Sequence, residues 1–164
     1  MTEEWIEKLA IQGLCARYCH TIDNQDSQGW AECFTPDGAF EFDGSVVRGH
    51  AALREYAEVH ARVMRCRHMT VNHLYEVKGD EATGRATTVV TLATEGGYKI
   101  LGDAGYEDHL VKRNGRWLIA HRKCQTDRLV ANPEKAVNLA DPDVAALVRH
   151  LVEAAQRLAK PAAG

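Results

Sequence analysis

The chain has 164 residues, 45% hydrophobic and 26% charged, with a formal net charge of -3. That length buries a real core without a disulfide scaffold, and that composition excludes a disordered polar chain. The charge balance supplies no basic field for a phosphate backbone, and no apolar run reaches the length of a membrane span, so neither nucleic acid nor membrane is expected as a partner.

The chain opens on an acidic, periodic segment, Met1 to Lys8, unlike a secretory leader, and the cytoplasm is the expected location. A first helix is predicted over residues 3–24, because Ile11, Leu14, Cys15, Tyr18, Cys19 and Ile22 recur at helical spacing. Asn24 to Ser27 breaks it, and Asp26 or Ser27 caps a short second helix carrying Trp30, Ala31, Cys33 and Phe34. Thr35-Pro36-Asp37-Gly38 reads as a turn, and Asp43-Gly44 as a tight hairpin between Phe40, Phe42 and Val46, Val47. A third helix over 50–65 buries Leu53, Tyr56, Ala57, His60 and Met64.

Four strands follow, over 68–77, 82–95, 98–112 and 116–128, separated by Lys78-Gly79-Asp80, Gly96-Gly97 and Asn114-Gly115. Short turns make consecutive strands antiparallel. Gly102 and Gly105 mark a bulge or sharp bend where the sheet curls. Asp141-Pro142 starts a last helix with an apolar stripe from Val144 to Leu158, over 142–159, as a cover for the sheet or a docking element. The order gives a single α+β domain over 1–164: a bent antiparallel sheet with helices on its concave face and an apolar pocket between them.

Five cysteines, Cys15, Cys19, Cys33, Cys66 and Cys124, form no paired framework and read as reduced core thiols. Cys15 and Cys19 share a helix face, but His20 sits about 100° further round, so no metal is expected. Phosphate-binding glycine motifs, serine-nucleophile elbows and zinc-protease motifs are absent, and no cofactor is expected.

Asp23 is the most informative acid. It ends an apolar helical face, where the helix dipole disfavours a solvated carboxylate and a partner is expected. His68 opens the first long strand, with Thr70 and Asn72 on its face and Met69, Val71 and His73 on the other. His20, His50, His60, His109, His121 and His150 read as structural or solvated. A buried Asp–His pair fixes the imidazole tautomer and makes a carbon-directed base. Tyr18 would polarise an oxygen that gains charge. On an ideal helix Tyr18 and Asp23 lie about 140° apart, so a shared pocket requires the helix end to bend.

The stretches Ile11 to Asp23 and Gly29 to Gly38 resemble the SnoaL-like branch of the nuclear transport factor 2-like superfamily. So do Arg48-Gly49-His50-Ala51-Ala52-Leu53, Arg67 to Asn72, and Gly105 to Asp108 before Asn114-Gly115-Arg116-Trp117. The resemblance spans roughly residues 5–130 and implies a cystatin-like cone enclosing a hydrophobic cavity, with a dimer or trimer as the expected assembly. Scytalone dehydratase, bile-acid 7α-dehydratase and hexachlorocyclohexane dehydrochlorinase of this fold eliminate water or chloride with an Asp–His pair. Asp23 and His68 fall where that pair is expected, and the Tyr18–Asp23 spacing is most similar to the bile-acid enzyme. Ile22 replaces the tyrosine beside the aspartate of scytalone dehydratase, and its second catalytic histidine has no match, which points away from a scytalone-type substrate.

The expectation is therefore a cofactor-independent dehydratase for a polycyclic, steroid-like or aromatic hydroxy-carbonyl ligand. Its catalytic residues would be His68, Asp23 and Tyr18, and its pocket would use Trp30, Phe34, Phe40, Met64, Asn72, Leu92 and Tyr106. Arg122 or Lys123 would contact an anion. The alternatives are a ketosteroid-isomerase-like isomerase and a non-catalytic binding or assembly module like a dioxygenase small subunit.

Overall fold

A computed structural model describes residues 3–95, 97–126 and 139–159 of the chain. Helix α1 (Glu3–Asp23) buries Ile11, Leu14, Cys15, Tyr18, Cys19 and Ile22, the stripe its spacing predicts. Glu7 near its start accepts from Lys112 Nζ at 2.6 Å and Trp117 Nε1 at 2.7 Å, fixing α1 against the hairpin that those residues flank. Helix α2 (Ser27–Ala31) is capped by Asp26, whose Oδ1 accepts from the Gly29 amide at 2.8 Å. Helix α3 (His50–Val63) buries Leu53, Tyr56, Ala57 and His60, with Met64 just beyond it.

The strands are β1 (Phe34–Phe42), β2 (Ser45–Arg48), β3 (Cys66–Lys78), β4 (Glu81–Thr94), β5 (Gly97–Arg113) and β6 (Arg116–Thr126). They form one sheet in the order β2-β1-β6-β5-β4-β3. Residues 127–128 of the expected last strand lie outside the described residues, as does Gly96 of one expected turn. The four long strands and the β1–β2 hairpin pair antiparallel, but β1 and β6 pair parallel. No hairpin links β1 to β6, so turn chemistry could not reveal that pairing. Asp43-Gly44 and Asn114-Gly115 all take positive φ, the backbone that two-residue hairpin turns require.

Among the described residues the sheet has four register irregularities, and three of them bear on the packing around the helices. Thr35 to Gly38 is not a separate turn; it lies within β1, where the register jumps between Phe34 and Ala39. Gly38 is needed for close approach there, since a Cβ would sit 2.8 Å from the Ile119 carbonyl oxygen. Between β4 and β5 the pairing passes from Val90–Gly102 to Thr91–Ile100, leaving Leu101 unpaired beside the expected glycine bend. In β3 the register shifts between Val71 and Leu74, with Asn72 at φ 55. This third bulge overturns strict alternation: Thr70 and His73 both face α1, through Cys19 and Cys15 respectively. Met69, Val71 and Leu74 are left exposed on the outer face.

Helix α4 (Pro142–Ala159) begins at Asp141, whose Oδ1 accepts from the Asp143 amide at 3.0 Å and whose Oδ2 holds Lys99 of β5. It packs on β2 and α3 and buries Val144, Leu151, Ala154 and Ala155. Among the described residues no helix is long and apolar enough to cross a membrane.

The core holds a fully buried ion pair between adjacent strands. Asp108 of β5 receives Arg122 Nε at 2.8 Å and Nη2 at 2.7 Å, and also the Tyr75 hydroxyl at 2.7 Å. Burial alone would pull the Arg122 pKa down; the Asp108 carboxylate more than reverses this and keeps the guanidinium charged. The Arg122 guanidinium also lies 4.4 Å from the Tyr18 ring centroid and 4.2 Å from that of Tyr106. Removing the carboxylate strands a buried cation, so Asp108→Ala should cost about 3–5 kcal/mol. Urea unfolding checks this against Arg157→Ala, which breaks only the exposed pair with Glu55 and should barely move the midpoint.

Candidate active site

Asp23 and His68 meet where the end of α1 crosses β3. The Asp23 Oδ1 to His68 Nδ1 distance is 2.6 Å, and Asp23 Oδ2 accepts from the His68 backbone amide at 2.9 Å. Arg67 Nη1 donates to the Asp23 carbonyl at 2.9 Å, which ties down the C-terminal end of the helix. Both side chains are shielded, with 6% of Asp23 and 12% of His68 exposed. The carboxylate therefore grips ring and backbone of one residue, and the imidazole has little freedom to turn.

His68 lines a cavity of about 610 Å³. Tyr18, Trp30, Phe40, Tyr56, Met64 and Tyr106 form much of its wall. Val148, Leu151 and Val152 bring α4 across it, while the exposed Asp43 and Gly44 mark its mouth. Tyr18 shares the cavity with His68, whereas Asp23 is not among the lining residues. The angular separation of Tyr18 and Asp23 is thus no obstacle, because Asp23 holds His68 from behind and α1 stays helical to its end. Burial pushes the Tyr18 hydroxyl well above the usual phenol range, with Arg122 opposing, so it is a neutral donor.

Four expected pocket residues do not line the cavity. Phe34 and Leu92 are buried in the core, 1% exposed each. Asn72 is exposed, turned away by the β3 bulge that sets its φ positive. Arg122 is consumed by Asp108 behind the Tyr18–Tyr106 wall, and Lys123 is the one of the two cations that reaches the cavity.

Residues 3–123 match the family profile described as the SnoaL-like domain. The chain belongs to the SnoaL-like family. Its structure is similar to that of an Asp-to-Asn variant of a Mycobacterium tuberculosis protein of unknown function: 62% identity and TM-score 0.92, covering 99% of this chain and 96% of that one. A Nostoc punctiforme protein of unknown function with a cystatin-like fold is 25% identical at TM-score 0.69, covering 80% and 97%. A candidate scytalone dehydratase from Novosphingobium aromaticivorans is 23% identical at TM-score 0.67, covering 75% and 85%, a likeness of fold. No curated protein matches the sequence.

On this SnoaL-like frame the cavity contains polar groups that sequence reasoning passed over. Trp30 Nε1, His60 Nδ1 and Thr88 Oγ1 belong to cavity-lining residues, are buried, and have no hydrogen-bond partner among the described residues. Such atoms are costly unless a ligand engages them. His60 reads in sequence as one more position of an amphipathic stripe; the one available signal was the cost of burying an imidazole. Its ring centre lies 5.8 Å from that of His68.

Burial pushes the His60 pKa down to about 3, with His68 adding to the effect and Asp23 opposing it. The unfolded chain titrates this group near 6.5, so below that pH it binds more protons than the folded protein. The stabilising contribution is complete above pH 6.5 and declines as pH falls toward 3. Urea midpoints measured across that window in chelator should fall more steeply for wild type than for His60→Gln; parallel curves would contradict a neutral buried His60.

Proposed function

We propose that this protein is a cofactor-independent dehydratase that eliminates water from a polycyclic, steroid-like or aromatic hydroxy-carbonyl compound. One observation carries the reading: a shielded carboxylate bonded to His68 Nδ1 at 2.6 Å, with the same ring in the wall of a largely apolar cavity. A proton on Nδ1, donated to Asp23, leaves the Nε2 lone pair as the base. His68 removes a proton from the carbon beside the substrate carbonyl, and the electron pair passes into an enolate. The Tyr18 hydroxyl hydrogen-bonds to the oxygen that gains this charge. As the carbonyl reforms, the β-hydroxyl leaves with the proton that His68 took, giving water and an unsaturated ketone, and the imidazole returns neutral.

The cavity volume lies in the range of small-molecule sites, and its aromatic walls suit a flat ring system. Trp30 Nε1, His60 Nδ1 and Thr88 Oγ1, without partners among the described residues, favour a ligand that carries oxygen substituents over a plain hydrocarbon.

Turnover of a panel of hydroxy-ketones and hydroxysteroids tests the reading, with product structure separating elimination from isomerisation. For the compound that reacts, His68→Ala and Asp23→Asn should each lower kcat/KM roughly a hundredfold or more while remaining folded. Tyr18→Phe should lower kcat with a smaller change in KM. A ligand that binds all these proteins equally, with no turnover, would replace the dehydratase with a binding protein.

A further inference from the structure

Two more metal-ligating atoms converge on the Asp23–His68 bond. Cys66 Sγ lies 3.7 Å from His60 Nε2, 3.8 Å from His68 Nδ1 and 3.9 Å from Asp23 Oδ1. His60 Nε2, Cys66 Sγ and His68 Nδ1 all fall within 4.8 Å of one another. Cys66 and His68 are two apart on β3 and project to one face, while His60 enters from the last turn of α3.

Zinc takes thiolate at about 2.3 Å and imidazole at about 2.0–2.1 Å in a tetrahedron, which places ligand atoms roughly 3.3–3.7 Å apart. The sulfur-centred distances here are within a few tenths of an ångström of that spacing. To join as the fourth ligand, Asp23 would have to open its 2.6 Å contact with His68. The burial of His60 adds to this: the residue is 5% exposed, its Nδ1 has no hydrogen-bond partner among the described residues, and its Nε2 meets the Cys66 thiol, a weak hydrogen-bonding group. A buried imidazole is here held without the strong partners that such rings ordinarily have. Access is through the cavity, which both histidines line.

We propose that His60, Cys66, His68 and Asp23 form a binding site for a thiophilic divalent cation, zinc above all. A set of one sulfur, two imidazoles and one carboxylate favours zinc over magnesium or calcium, which take oxygen ligands. Binding releases the Cys66 thiol proton, and the His68 proton moves from Nδ1 to Nε2. The dication is then matched by one thiolate and one carboxylate, with both imidazoles neutral. Because binding displaces the Cys66 proton, affinity rises with pH. Resting on the dehydratase reading, there is a consequence for activity: the occupied site puts the proton on His68 Nε2 and removes the base.

The test uses the full chain stripped of metal by chelator, titrated with zinc chloride against a chromophoric dye and separately with cobalt chloride. The expected result is one ion per chain, one proton released, and a thiolate-to-cobalt charge-transfer band. Cys66→Ser should abolish that band and weaken zinc roughly tenfold or more, although the other four cysteines remain. His60→Gln should weaken zinc while leaving the band. A wild-type cobalt spectrum without charge transfer overturns the site, and this holds even where a variant fails to fold. So does zinc affinity unchanged in folded Cys66→Ser, which would mark surface binding only. Binding is read without substrate, so absence of turnover would count against the dehydratase and leave the metal site standing.

Discussion

A guanidinium cut off from water is tolerated only when its charge is matched at close range, and Asp108 supplies that match from the strand next to Arg122. The two are direct cross-strand partners, and neither side chain has any exposed surface. Because Tyr75 also donates to Asp108, the pair binds β3 to β5 and β6 through one carboxylate. The two tyrosines stacked on Arg122 are cavity residues, so the charge that organises the core also sets the position of the aromatic wall. This cation is held by Asp108 and does not line the cavity.

The bulges do the remaining shaping. The bulges in β3 and β5 each shift the two-residue alternation by one, and so change which side chains face the helices. In β3 the shift near Asn72 lets His68, His73 and Tyr75 share the helix-facing side although their numbers differ in parity. In β5 the skipped residue is Leu101, which lines the cavity. Without the β3 break, Asn72 and Leu74 would face α1 where His73 and Tyr75 now do.

The dyad depends on a different constraint, the junction of a helix end with a strand. Asp23 faces the unfavourable end of the α1 dipole, and it finds compensation in two hydrogen bonds from His68. Cys66 and His60 surround that junction, and burial holds the thiol protonated and the second imidazole neutral. Donating to Asp23 and ligating a metal would thus be alternative uses of one imidazole nitrogen, His68 Nδ1.

Sequence by itself determined the element order, the buried stripes of α1 and α3, the hairpin turns and the likelihood that Asp23 needed a partner, because these follow from periodicity, glycine conformations and a helix dipole acting over a few residues. Two separate stretches that resemble the family also put Asp23 and His68 where its Asp–His pair is expected. What it could not decide was anything set by contacts distant along the chain. Arg122 looked like a ligand contact until Asp108, fourteen positions away, claimed it. Asn72 is expected inward but a bulge turns it out, and Phe34 and Leu92 are core, Phe34 packed against the rings of Tyr18 and Trp30. His60 and Cys66 carry no motif at all. Only the packing of α3 against β3 brings them to the dyad, since ligand geometry depends on distances in space that spacing along a chain does not fix.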